Sequence, residues 1–166
     1  MIVWTCAVAA GSQSATNAEA KTESADALRA RATALIYEHR HDEAIRLLRQ
    51  AVALAPDQSA THRSLASAIW LKMLFLRGAV TVDHYLGSFN RARVDLTKPP
   101  PELVAEFQQS ITKAIALSES YVAVSPKSAQ AHYDLGAATG LHASYIASIE
   151  GRLLAEDRRL EALERW

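Results

Sequence analysis

Two stretches of the chain read almost as copies. AIRLLRQAVALAPDQSATHRSLASA, from Ala44 to Ala68, and AIALSESYVAVSPKSAQAHYDLGAA, from Ala114 to Ala138, share Ala, Ile, Leu, Val, Ala, Pro, His, Leu and Ala at nine of 25 positions, 70 residues apart. Self-similarity of this kind is the trace of one supersecondary unit used more than once, each copy hiding its apolar stripe against the next. A chain of 166 residues suits one domain with a real core. Alanine is abundant while Gly and Pro number only six and five, which favours helix over a turn-rich β fold.

The apolar spacing fits helices. Leu28, Ala32, Leu35 and Ile36 recur at three- and four-residue steps, with Ser24 placed to cap the helix they define. The pattern breaks at EHRH, residues 38–41, and restarts with Asp42 as the expected cap and Ala44, Ile45, Leu48, Ala51 and Val52 as the apolar face. Pro56 ends that helix, because the residue before a proline is pushed out of the α region. A third helix runs from about Ser59 to near Gly78, carrying His62, Leu65, Ala66, Ile69, Trp70, Met73 and Leu74. VTVDHYLGSFNRARVDLTKPPP lacks clean periodicity, and its prolines lead into a helix from about Glu102 to Val124. After Pro126 another helix carries His132, Leu135, Gly136 and Thr139, on towards Ile149. RLLAEDRRLEALERW spaces Leu153, Leu160, Leu163 and Trp166 on or near one stripe, able to accept a further repeat, another copy of the chain, or nothing.

The duplicated passage therefore spells the second helix of one hairpin, a proline turn, and the first helix of the next. In this the chain resembles the tetratricopeptide repeat, a helix pair of about 34 residues with small residues at the crossing and a proline after the second helix. Ala32, Ala44, Ala51 and Pro56 carry those marks in a first unit; His62, Leu65 and Ala66 open a second that Ala114 and Pro126 close; His132, Leu135 and Gly136 open a third. The resemblance implies an all-α fold of antiparallel helical hairpins stacked as a short right-handed solenoid over residues 24–166, with an insertion at about 79–99 in the middle unit. Leu28, His62 and His132 stand where the family places a bulky apolar residue, and the two histidines are expected to pack at helix starts. Gly136 and Gly140 are expected to have a packing reason, since glycine inside a helix costs up to ~1 kcal/mol relative to Ala.

By the same resemblance, successive first helices line a groove whose wall carries Arg29, Thr33 and Tyr37, then Arg63, Ser67 and Trp70, then Tyr133. Aromatics and arginines suit the binding of a protein or peptide segment; the competing reading buries Trp70 and Tyr133 beneath the insertion. The family's clamp for a C-terminal carboxylate needs an Asn where Thr33 stands, and is not carried over. In the insertion, Asp83, His84, Tyr85, Phe89 and Arg91 form a polar–aromatic mixture of the kind that gives loops specificity.

Other chemistries lack a foothold. Eighteen basic and eighteen acidic side chains cancel, so no global field favours nucleic acid. Cys6 is the only cysteine, which leaves no internal disulfide and no multi-cysteine zinc site. Nucleophile-elbow, P-loop, dinucleotide-binding and H-E-x-x-H patterns are absent. EHRHDE, residues 38–43, is rich in ligand-type side chains, but a tight turn exposes polar residues by default and Asp42 and Glu43 suit a helix N-terminus without a metal. No cofactor and no metal are expected.

The first 23 residues differ in kind. An apolar run after Met1 followed by a small polar stretch has the length of a secretory signal, with Ala18-Glu19-Ala20 as a cleavage context, although no basic residue precedes the run. This reading places the protein outside the cytoplasm, with any membrane contact through that segment; the alternative is a cytoplasmic tail. The function expected is a non-catalytic scaffold for protein–protein interaction. The alternatives are an exported accessory protein holding a small ligand in its helical groove, and an enzyme with a site near the insertion.

Overall fold

The computed structural model describes residues 23–78 and 98–150, and among these residues the fold is all-helical. Five α-helices follow one another: α1 (Ala25–Tyr37), α2 (His41–Leu54), α3 (Ser59–Leu76), α4 (Pro101–Val124) and α5 (Ala129–Tyr145), the last continuing into one turn of π-helix, Ile146–Glu150.

Local chemistry sets the boundaries. Ser24 accepts a hydrogen bond from the Ala27 amide and opens α1. The α1–α2 reversal places His39 at φ 60°, a left-handed conformation uncommon away from glycine. The residue flanking α2 is consequently Arg40, which makes no side-chain cap; Asp42, expected as the cap, lies inside the first turn. Pro101 occupies the first turn of α4, where no helical partner is lost. Ser128 caps α5 through the Ala131 amide.

The two proline turns are near-duplicates. Ala55, before Pro56, has φ −138° and ψ 68°, and Ser125, before Pro126, has φ −132° and ψ 67°. Each ends its helix with an amide donated four residues back, to Ala51 and to Tyr121. His62 and His132 then each place Nε2 2.8 Å from the carbonyl of Pro56 or Pro126. A carbonyl only accepts, so Nε2 carries the proton in both. The expectation that these histidines are packing residues is corrected: His132 is exposed and His62 half-buried, and both tie the turn to the helix that follows instead of filling the core.

Each helix packs on its chain neighbour, and α3 also touches both α1 and α5. Directions follow from the bonds between them. Ser59, at the start of α3, donates to the Ala114 carbonyl and meets Ser118 Oγ at 2.6 Å, both in the later part of α4. Tyr145, at the end of α5, stacks on Phe107 near the start of α4, with ring centroids 4.2 Å apart. Consecutive helices thus alternate in direction while α3 and α5 run alike.

Alanine makes the close crossings: Ala32, Ala44, Ala51, Ala66, Ala68, Ala114 and Ala138 are fully buried. Between them sit Leu48, Ile69, Met73, Phe107 and Ile111, also buried. The fork of Arg49 engages the Glu106 carboxylate through two bonds of 2.7 Å, tying α2 to α4 on the outer surface.

The end of α5 departs from expectation. The α-helix stops at Tyr145, and the π turn after it is fixed by α3: Trp70 Nε1 donates to Ser148 Oγ at 2.9 Å, and Arg77 donates to the carbonyls of Ser148 and Ile149. Gly136 and Gly140 have no packing reason within the described residues, since a Cβ built on either would meet nothing within 4 Å.

Candidate functional site

An open groove of about 1040 Å³ runs across the helix ends among the described residues. Three sides build it. The first three turns of α1 contribute Asp26, Arg29, Ala30 and Thr33, and the first proline turn with the start of α3 contributes Asp57, Gln58, Ser59, Arg63 and Ser64. The last turns of α4 and the first of α5 close the third side with Leu117, Tyr121, Val124, Tyr133 and Asp134.

Its arginines are already engaged. Arg29 pairs with Asp26 at 2.8 Å and donates to Ser64 Oγ at 3.3 Å, which connects α1 to α3. Arg63 pairs with Asp134 at 3.3 Å and lies 5.3 Å from the Tyr133 ring centroid, which connects α3 to α5. Both partners of the second pair are largely shielded, so this contact is screened less than a surface pair. The floor is polar as well: Ser59 and Ser118 share a hydrogen bond, and Thr61 Oγ1 donates to backbone carbonyls at 2.7 and 3.1 Å beneath it.

Apolar surface is concentrated on one side. Tyr133 is 62% exposed, Tyr121 49% and Val124 81%, and all three line the groove. Large side chains left this open, around a concavity with fixed polar groups, form a surface suited to contact.

Of the groove residues expected from the sequence, the fold brings Arg29, Thr33, Arg63 and Tyr133 together. Tyr37 stands apart, 82% exposed at the end of α1. Trp70 is directed elsewhere, half-buried against the core with its indole N–H bound to Ser148. Ser67 lines a small adjoining recess with Arg63, Ser64, Ala137 and Leu141. Asp83, His84, Tyr85, Phe89 and Arg91 lie outside the described residues.

Sequence reasoning missed Asp57, Gln58, Tyr121, Val124 and Asp134. A signal for two of them was present in the places where the two copies disagree. Tyr121 stands where the first copy has the buried Ala51, and Asp134 where it has Ser64. A large ring cannot occupy a position that alanine fills at a tight crossing, so the second copy must turn that residue outward.

The EHRHDE turn forms an aromatic cluster. The His39 ring stacks on Phe75 with centroids 6.0 Å apart, and His41 lies 5.5 Å from Phe75 and 6.1 Å from His39. His41 is buried, and its Nδ1 has no hydrogen-bond partner. Burial, then the charge of His39 and to a lesser degree Lys72, hold the His41 imidazole below its ordinary value against the opposing pull of Asp42. Among the described residues no three His, Cys, Asp or Glu side chains are grouped to hold a metal ion, and no helix is long and apolar enough to cross a membrane.

Comparison with protein-family models, curated proteins and solved structures gave no match to the chain.

Proposed function

We propose that the chain is a non-catalytic interaction scaffold of the tetratricopeptide-repeat kind, whose groove takes up an extended segment of a protein partner. The observation that carries this reading is the groove itself. It is open, it crosses successive first helices α1, α3 and α5, and it exposes Tyr121, Val124 and Tyr133 beside arginines fixed by ion pairs. Pre-organised side chains bind with less loss of freedom than mobile ones, which favours a recognition role.

The matching proline turns, the alternating helix directions and the contacts linking α3 to both α1 and α5 support the finer architectural reading, a short right-handed stack of hairpins. The extracytoplasmic setting belongs to the same proposal and rests on the apolar run at the start of the sequence.

The test is binding by a displayed library of random peptides to the full chain, compared with Tyr121→Ala/Tyr133→Ala. Both side chains are exposed, so the variant keeps its helical circular dichroism. Peptides captured by the parent chain are expected to lose most of their affinity for the variant; equal capture by both proteins would end the groove reading.

A further inference from the structure

From the hydrogen-bond and charge inventory of the groove we infer the chemistry of its occupant: a basic segment, with a Lys or Arg side chain next to an aromatic or aliphatic one. The inference rests on the groove reading above and adds a sign and an orientation to it.

Three carboxylates, those of Asp26, Asp57 and Asp134, line the groove against two guanidiniums, those of Arg29 and Arg63. Each guanidinium is already committed to a carboxylate, and Arg63 is also covered by the Tyr133 ring. No cation in the groove is therefore left for an acidic ligand. Asp57 is the one lining carboxylate with no ion pair among the described residues, and it stands exposed in the first proline turn. Beside it, Gln58 Oε1 is buried with no hydrogen-bond partner. An acceptor left unsatisfied costs free energy that a donor recovers once the Gln58 side chain, which lines the groove, turns towards it.

The α3 N-terminus also opens here, and its partial positive charge of about half an elementary unit opposes this trend. The full carboxylate of Asp57, one residue before the flanking Gln58, outweighs it. Donor-hungry groups thus mark the α1/α3 side, while Tyr121, Val124 and Tyr133 supply apolar contact on the α4/α5 side. A cationic head placed at Asp57 and Gln58 leaves the neighbouring apolar side chain of the same segment facing the tyrosines.

The experiment sequences the peptides selected from the random library by the full chain, then measures their affinities by fluorescence anisotropy. Enrichment of Lys or Arg adjoining Trp, Phe, Tyr or Leu is expected. Asp57→Asn should weaken the selected peptides by about three- to fivefold, the scale of one exposed charge contact, and Asp57→Lys by about tenfold. Asp57 is in an exposed turn, so both variants keep the fold. Selection of acidic or uncharged peptides, or affinities unmoved by Asp57→Lys, would overturn the charge assignment while leaving the groove standing. Binding that also survives Tyr121→Ala/Tyr133→Ala, or an absence of any selected peptide, would overturn the groove and the assignment with it.

Discussion

Helices α3 and α5 begin with closely related wording, follow turns of matching geometry, and then part company. In α3, Ala66, Ile69 and Met73 are fully buried. The corresponding residues of α5, 70 positions later, are Gly136, Thr139 and Ala143, and all three are exposed. The shared part is local: a proline and a histidine bound to its carbonyl need only the chain within about eight residues. The part that differs depends on neighbours. Helix α3 is enclosed by α2 and α4 with α1 and α5 alongside, whereas α5 packs chiefly on α4 and less closely on α3.

The contrast breaks most sharply under truncation. Ile69→Ala removes a buried side chain from a close-packed site and is expected to destabilise by about 3 kcal/mol. Thr139→Ala, at the matching exposed position, is expected to stay within about 0.5 kcal/mol. Denaturant midpoints measure both, and equal losses would show that the faces are alike after all. A smaller effect tests what the helices have in common. His62→Ala and His132→Ala each delete one turn-locking bond and should each cost about 1 kcal/mol. A loss in one turn without the other would separate them. Smaller again, and opposite in sign, Gly136→Ala should stabilise by up to ~1 kcal/mol because its Cβ enters open space, whereas Ala66→Gly should destabilise by at least that much.

His41 differs from these two histidines. Its imidazole is held below the ordinary value, so the unfolded chain binds the proton more readily. The stability it contributes is present above about pH 6.5, the ordinary imidazole value, and is lost as pH falls through and below it. Thermal melts between pH 7.5 and 5 should show a decline that His41→Leu reduces.

Features decided within a turn or two were legible from the residues. Ser24, Pro56, Ser59, the prolines before α4 and Pro126 bracket the helices close to where the wording places them, because caps and prolines act on adjacent backbone. Asp42 misled because His39 takes a left-handed conformation, which shifts the start of α2. The role of His62 and His132 was hidden because their acceptor lies six residues back and comes into reach only once the turn has formed. Trp70 misled for another reason: helical spacing gives its face, but the partner on that face, Ser148, is supplied by a π turn that spacing does not foretell. Part of the groove was legible through Arg29, Thr33, Arg63 and Tyr133. Asp57, Gln58 and Asp134 adjoin it through the first proline turn and the start of α5, and Tyr121 and Val124 come from the C-terminal end of α4, whose residues reach the groove only through its packing against α3.

The π turn also sets a direction. Inserting one residue into an α-helical register swings everything after it by about 100° around the axis. Pinned by Trp70 and Arg77, residues 146–150 therefore act as an indexing step that fixes the azimuth at which the chain leaves Glu150. Removing a single residue there would change which backbone carbonyls meet Arg77 and which side chain meets Trp70, while leaving the groove, at the opposite end of α5, untouched.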